Sequence, residues 1–219
     1  MRRYLDERNL LRALSMAAVA TVLSLGRLAR TDQPLPLYAA LFFTMMVFVC
    51  GAVTAWGGSA GMAGVATSRP LLLRGLAVAA ALSAAALPVR LLWTDPATRT
   101  ALEAAGHSGA LRLAFPESTA EQMALVMWSV GFHGLFFTAA PMSLFARLTG
   151  RQSAAIALAV AFRIFVMHRQ VAVAGVADAL PLFFASAAIG SLVACLLFAR
   201  FGLAPMLVLT AGLDAHVFF

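Results

Sequence analysis

Residues 35–56 read LPLYAALFFTMMVFVCGAVTAW, and no side chain in this stretch is charged. An α-helix needs about 20 consecutive apolar residues to cross the hydrocarbon core of a membrane. The stretch therefore predicts a transmembrane helix, and it indicates that the chain is an integral membrane protein.

The composition of the whole chain favours the same class of protein. Of the 219 residues, 62% are hydrophobic and 11% are charged, whereas a soluble domain has about 25% charged residues and at most about half apolar ones. Too few polar residues remain to cover the surface of a soluble protein. The apolar runs are continuous rather than alternating, which favours helices over a transmembrane barrel.

Six further apolar runs accompany residues 35–56. The chain is therefore predicted to be an all-α, polytopic transmembrane helical bundle with about seven membrane segments, forming a single transmembrane domain over residues 1–219. The fifth run is shorter than a full span requires. The predicted segments are Leu11–Leu28, Leu35–Trp56, Pro70–Trp93, Glu121–Phe145, Ser153–Met167, Ala177–Phe198 and Leu203–Phe219.

Residues 94–122 form the one long polar loop, which holds four of the nine acidic residues. Within it, TDPATRTALEAAG predicts a short helix with Thr94 or Asp95 as N-cap, Pro96 in the first turn and Gly106 after the end. The following PESTAEQ, residues 116–122, offers a second N-cap at its serine or threonine.

The basic residues are 16 arginines and no lysine, which gives a net charge of +7. They lie between apolar runs along the whole chain, so we interpret them as topology signals and predict no nucleic-acid binding. With the N-terminus in the cytoplasm, nine arginines fall on the cytoplasmic side and six on the other. We therefore expect a protein of the bacterial inner membrane with a cytoplasmic N-terminus.

Ionisable residues inside a membrane span are costly and are functional candidates. We expect Asp214 to be paired with Arg163 or Arg147. Cys50 and Cys195 both lie in apolar runs, so they are predicted to be reduced packing residues. The candidates within the predicted spans or at their ends are His133, Arg147, Arg163, His168, Asp214 and His216.

Three short motifs in the second half of the chain each contain one of these residues. They are MSLFAR at 142–147, IFVMH at 164–168 and TAGLD at 210–214. On these motifs the chain resembles the CPBP family of CAAX-prenyl-protease and bacteriocin-processing intramembrane proteases. The family's motifs are Glu-Glu-x-x-x-Arg, Phe-x-x-x-His and His-x-x-x-Asn or Asp. The resemblance implies a CPBP-like core at 123–219, with Arg147, His168 and Asp214 as candidate site residues.

The two glutamates of the family are Met142 and Ser143 in this chain. Hydrolysis needs a carboxylate base, which neither side chain supplies. We therefore expect a pseudoprotease rather than an enzyme: a subunit or assembly and scaffold factor of a larger membrane complex. Its predicted partners are other integral membrane proteins, with helices or lipid bound in the former protease groove.

Three alternatives remain open. An atypical intramembrane peptidase would use His168 with Asp214, with Ser143 as a candidate nucleophile. A haem- or pigment-associated membrane subunit would use two of His133, His168 and His216 as cofactor ligands. A zinc site would combine His168, His216 and Asp214. The favoured prediction includes no metal and no cofactor other than lipid.

Overall fold

The computed structural model describes residues 6–30, 34–65, 67–173 and 181–219. Within these ranges the protein is a bundle of ten α-helices. Two π-helical segments, Arg90–Thr94 and Ser129–Ala139, each join two consecutive α-helices, and 3₁₀ turns lie at Ser59–Gly61 and Ala215–Phe218. The helices are α1 Glu7–Leu28, α2 Leu35–Trp56, α3 Arg69–Val89, α4 Asp95–Ala104, α5 Ser108–Ala114, α6 Thr119–Trp128, α7 Ala140–Thr149, α8 Gln152–Val173, α9 Pro181–Phe201 and α10 Leu203–Asp214.

The predicted all-α membrane class is confirmed. In the described part of the chain, five helices are long and apolar enough to cross a membrane. Helix α8 is not among these candidates, and Leu203–Phe218 is a shorter apolar helix. The five candidate spans are Glu7–Leu28, Leu35–Trp56, Arg69–Ala104, Thr119–Thr149 and Phe183–Phe201.

The predicted segment limits agree best for the apolar run that contains no charge. Helix α2 has the predicted bounds. Helix α8 has 22 residues and extends past Met167, the predicted end of the fifth segment, but it is not among the five candidate spans. Arg163 and His168 both lie inside this helix. Residues 177–180 of the predicted sixth segment lie outside the described residues.

Helix α4 does not begin at a separate N-cap, contrary to the expectation for Thr94 or Asp95. Thr94 has helical backbone angles of φ −71° and ψ −46°, and its side chain makes no capping hydrogen bond. The chain instead passes from α3 to α4 through the π-helical segment. The predicted end is confirmed, since Gly106 adopts φ +71° two residues after α4.

Both π-helical segments end two residues before a proline, namely Pro96 and Pro141. A proline lacks the backbone N–H, and its ring clashes with the carbonyl four residues earlier in an α-helix. A wider turn removes this clash, and π-helical turns inside α-helices are frequent at functional sites. The two prolines therefore give a local reason for both segments.

The start of α6 is fixed by Ser118, whose hydroxyl accepts from the Glu121 backbone N–H at 3.3 Å. The Glu121 carboxylate accepts from the Ser118 N–H at 3.3 Å, which completes a capping box. The same carboxylate lies 2.8 Å from Nη1 of Arg30, just after the end of α1. This ion pair joins the end of α1 to the start of α6.

The ends of α1, α3, α8 and α10 lie on one side of the bundle with the starts of α6 and α9. On this side Arg30 pairs with Glu121, Arg90 pairs with Asp214, and Phe184 packs with both Leu102 and His168. We call this side the polar end. Through the middle, the passage formed by α6, the second π-helical segment and α7 is the most buried, with half of its apolar stretch enclosed, whereas for the passage containing α3 the fraction is 11%. Large side chains that fill the core include Met46, Met142, Phe198 and Met206.

Candidate functional site

Arg90 is the centre of a polar cluster at the polar end of the bundle. Its Nη1 donates to the Leu213 carbonyl at 2.8 Å and to Oδ1 of Asp214 at 3.2 Å. Its Nε and Nη2 both lie 3.4 Å from Oδ1 of Asp95, and Nη2 lies 3.2 Å from Nε2 of His216. One guanidinium thus connects the end of α3, the start of α4 and the end of α10.

The Leu213 contact also explains how α10 ends. The last carbonyls of a helix have no partner within the helix. Arg90 and Nδ1 of His216, which lies 3.0 Å away, both reach the Leu213 carbonyl. A cation at a helix C-terminus is electrostatically favourable as well.

Asp214 extends the cluster toward the middle of the bundle. Ser129, the first residue of the second π-helical segment, donates its hydroxyl to Oδ2 of Asp214. The same hydroxyl lies 3.3 Å from Nδ1 of His133, and the Trp128 indole N–H donates to Nε2 of His133 at 3.2 Å. A continuous row of contacts therefore runs from Trp128 through His133 and Ser129 to Asp214.

The donors in this row fix its direction. An indole N–H can only donate, so Nε2 of His133 is an acceptor and the neutral ring carries its proton on Nδ1. That proton points to the Ser129 oxygen, and the Ser129 hydroxyl proton points to Asp214. Each donor in the row points along it in the direction of Asp214, and the last one donates to the carboxylate. A hydrogen bond accepted by a carboxylate stabilises its ionised form.

His216 is 5% exposed and also has both ring nitrogens occupied. Arginine can only donate, so Nε2 of His216 accepts from Arg90 and Nδ1–H donates to the Leu213 carbonyl. In this neutral ring, the 3.5 Å contact between Nε2 and Oδ2 of Asp95 is not a hydrogen bond. No hydrogen bond within the described part of the chain reaches Oδ2 of Asp95, and Asp95 lines a pocket.

The pocket has a volume of about 390 Å³ and lies beside the cluster. Its polar lining comes from Asp95, Arg99 and His216, and its apolar lining includes Leu91 and Phe115. The guanidinium carbon of Arg99 lies 4.9 Å from the centre of the Phe115 ring. This size is within the range of small-molecule sites.

The structure does not bring the three motif residues together. Arg147 is exposed near the end of α7, whereas His168 is exposed near the other end of α8. At about 1.5 Å per residue, His168 lies roughly 24 Å along α8 from the turn that follows Arg147. His168 packs against Phe184, with ring centres 5.7 Å apart, and no hydrogen bond or ion pair joins it to Asp214 in the described chain.

The expected partner of Asp214 was Arg163 or Arg147, and the structure shows Arg90 instead. Arg163 lies within electrostatic reach of Asp214, but its guanidinium carbon lies 5.9 Å from the centre of the Phe137 ring. The buried Nε of Arg163 has no acceptor among the described residues. The sequence pointed to the wrong arginines because it shows neither the angle at which α10 meets α3 nor the turn that directs Arg90 inward.

The candidates for the alternative chemistries are separated as well. Ser143 is fully buried and donates to the Ala139 carbonyl of its own helix at 2.6 Å. His133 and His216 use both ring nitrogens within the protein, so haem ligation by either would require breaking contacts. Among the described residues, no group of three His, Cys, Asp or Glu side chains is placed to hold a metal ion.

Sequence reasoning missed four members of the cluster, namely Arg90, Asp95, Trp128 and Ser129. Asp95 is predicted from sequence only as a helix cap, and Arg90 is one of the arginines interpreted as topology signals. Their signal was an arginine at the end of an apolar run followed five residues later by an acid. Ser129 carried no signal, because serine is common in transmembrane helices, where it usually bonds to its own backbone.

Comparisons with protein-family models, with curated proteins and with solved structures give no match to this chain. The resemblance to the CPBP family therefore remains a prediction from the three motifs.

Proposed function

We propose that this protein is a non-catalytic subunit or scaffold of a larger complex in a bacterial inner membrane. In this proposal α3 binds a transmembrane helix of another integral membrane protein. The observation that carries the proposal is the outward face of α3, which is lined with alanines.

The state of Asp214 supports a non-catalytic role. Its two oxygens accept from Arg90 and Ser129, which hold it between three passages of the bundle. Met142 and Ser143 occupy the positions of the family's glutamates, and both are fully buried among apolar helices. A general base must reach water and substrate. Met142 and Ser143 are buried, and both oxygens of Asp214 already accept hydrogen bonds from the protein.

The inner face of α3 shows how closely this helix can approach another. Gly75 and Ala79 are buried against the bundle, and Gly212 of α10 lies directly against Ser83. In a membrane, helices associate through small residues that let backbones come close. The buried side of α3 uses this mode of packing within the protein.

The outer face of α3 repeats the pattern with no helix covering it among the described residues. Its exposed alanines form two adjacent rows at four-residue spacing, and Pro88 extends the second row. Larger exposed side chains, Val78 and Leu82, border the rows. The two rows are Ala77, Ala81 and Ala85, and Ala80, Ala84 and Pro88.

Such a surface fits a helix better than lipid chains. Alanine rows leave a shallow groove, and a partner helix gains van der Waals contact along it without losing side-chain rotamer freedom. Few residues of this passage are enclosed by the bundle, so most of its length is available to a partner.

The test uses cysteine cross-linking in native membranes. The native Cys50 and Cys195 are buried, so Ala81→Cys introduces an accessible thiol on α3. Ala157→Cys is the matched control, because Ala157 is an exposed alanine on α8. We expect Ala81→Cys to form one discrete cross-linked species with another membrane protein, and Ala157→Cys to form none.

A second variant tests the surface without a cross-linker. Ala81→Leu fills the groove, so we expect the partner to be lost during purification, whereas Ala157→Leu retains it. Cross-linking of Ala81→Cys to a second copy of this 23.0 kDa chain would show that α3 mediates a homodimer and would overturn the proposed partner. Equal cross-linking from both positions would overturn the proposal.

The arginine distribution supports a cytoplasmic N-terminus. Arg69, Arg74, Arg147, Arg151 and Arg200 lie at the end of the bundle opposite the polar end, where α3 and α8 begin and α7 and α9 end. Positive charges accumulate on the cytoplasmic side. In this orientation the polar end faces away from the cytoplasm. A membrane-impermeant thiol reagent should then label Arg112→Cys on intact cells.

A further inference from the structure

We infer that the pocket between Asp95 and Arg99 binds the zwitterionic headgroup of a phospholipid with a primary amine, of the phosphatidylethanolamine type. In this site Asp95 accepts from the ammonium group and Arg99 binds the phosphate. The site is separate from the α3 surface, so it does not depend on the proposed complex.

Asp95 and Asp214 share one paired cation at the base of the pocket. Arg90 pairs with both carboxylates, while His216 is neutral in its hydrogen-bonding arrangement. Arg27 and Arg163 lie within electrostatic reach of Asp214. Among the described residues, Asp95 pairs with no arginine other than Arg90, and no hydrogen bond reaches its Oδ2.

A positively charged donor in the pocket would complete this arrangement. A buried or half-buried carboxylate is stabilised by each hydrogen bond that its ionised form accepts. A primary ammonium supplies three donors as well as the charge. Asp95 is 9% exposed, so a group that reaches Oδ2 exchanges little bulk water.

Arg99 provides the complementary charge at the mouth of the pocket. It lies four residues after Asp95 on α4, which places the two side chains on one face about 6 Å apart. At this spacing they could pair with each other, yet Asp95 contacts Arg90 and Arg99 lies over the Phe115 ring. Two opposite charges held apart in one pocket match a ligand that carries both.

The position of the pocket favours a lipid over a soluble zwitterion. The passage from Arg69 to Thr94 is roughly 39 Å long at about 1.5 Å per residue, which exceeds a hydrocarbon core of about 30 Å. Asp95 and Arg99 therefore lie at the membrane interface. Trp93, which is 66% exposed, is the type of residue that marks this level. Leu91, Phe115 and Pro116 give the pocket an apolar wall for the start of the acyl chains.

The experiment measures lipid binding to the full chain by native mass spectrometry, from nonionic detergent with added lipid. Phosphatidylethanolamine is compared with phosphatidylcholine, whose quaternary amine cannot donate, and with phosphatidylglycerol, which has no cation. We expect phosphatidylethanolamine to bind at least about tenfold more tightly than either, since one charge-assisted hydrogen bond accounts for that ratio.

Two variants locate the site. Arg99→Gln removes the phosphate partner at an exposed position, so it should fold normally and lose about tenfold in phosphatidylethanolamine affinity. Asp95→Asn should abolish the preference for the primary amine. Arg112→Gln, an exposed arginine of α5 outside the pocket lining, is the control and should bind as the wild type does.

Three results would overturn the inference. Equal affinity for the three lipids would show that no headgroup is recognised. Unchanged binding in Arg99→Gln would place the lipid elsewhere. Soluble phosphoethanolamine that competes as well as the lipid would show that the acyl chains contribute nothing and that the site belongs to a soluble zwitterion.

Discussion

Arg90 and Asp214 are 124 positions apart in the chain, and their side chains meet at 3.2 Å. The contact joins the end of α3 to the end of α10. Because Arg90 also reaches Asp95, His216 and the Leu213 carbonyl, it holds the polar end of the bundle together with one side chain.

Replacement of Arg90 by glutamine should destabilise the protein strongly. It would leave the Asp95 and Asp214 carboxylates, both largely removed from solvent, without their common cation. Loss of one partner of such a pair costs about 3 kcal/mol in unfolding free energy. Thermal unfolding in detergent would measure the change.

Two further variants serve as comparisons for Arg90→Gln. Arg90→Lys keeps the charge but not the planar fork, so its stability should lie between glutamine and wild type. Arg112→Gln removes an exposed arginine and should change the unfolding free energy by less than about 0.5 kcal/mol. A tolerated Arg90→Gln would show that the two carboxylates do not depend on this arginine.

Replacement of Arg163, in contrast, should change the stability of the protein little. In the described part of the chain its buried Nε has no acceptor, and its guanidinium packs on Phe137 at 5.9 Å. An apolar side chain of similar length often replaces a buried charge without loss. Arg163→Met should therefore unfold within about 1 kcal/mol of wild type, or at higher temperature. A large loss of stability would reveal an interaction of Arg163 beyond the described contacts.

Two variants of Glu121 separate its two roles. Glu121→Gln removes the ion pair with Arg30 but keeps a side chain that can complete the capping box with Ser118. Glu121→Ala removes both interactions. We expect the melting temperature to fall in the order wild type, Glu121→Gln, Glu121→Ala. Added salt should reduce only the difference between wild type and Glu121→Gln. Identical melting temperatures for the two variants would argue against the capping box.

The close approach of α3 and α9 predicts that alanine destabilises the protein at Gly75 but not at Gly109. A Cβ on Gly75 would lie 2.6 Å from Cβ of Phe201 and 2.6 Å from Cγ of Pro205. Gly75→Ala should therefore cost about 1–3 kcal/mol, as overpacking does. Gly109→Ala in α5 meets nothing within 4 Å and should be neutral or slightly stabilising. Unfolding curves of both variants test the contact, and equal stability would contradict it.

The buried position of Ser143 predicts that it is not a nucleophile. Its hydroxyl donates to the Ala139 carbonyl, and the side chain has no exposed surface. A fluorophosphonate probe should not label the folded protein at this position, and Ser143→Ala should be as stable as wild type within about 0.5 kcal/mol. Labelling that disappears in Ser143→Ala would revive the peptidase alternative.

The sequence by itself determined the class of the protein and most of its helices. Continuous apolar runs specify helices in a membrane because every backbone polar group must be paired within the segment. The Ser118 cap and the Gly106 stop depend on neighbouring residues alone, so they too could be predicted. The end of the fifth run was misjudged, since α8 continues past His168, where the predicted segment had ended.

Tertiary structure alone decided which polar residues meet. The sequence identified Asp214, His133 and His216 as unusual within a membrane, because the cost of burying an ionisable group is a property of each residue. It could not identify Arg90 as the partner of Asp214 and His216. That pairing depends on the wide turns before Pro96 and Pro141 and on the angle at which α10 meets α3. A hydrogen bond requires its two atoms within about 3 Å, and a sequence pattern does not set distances between helices.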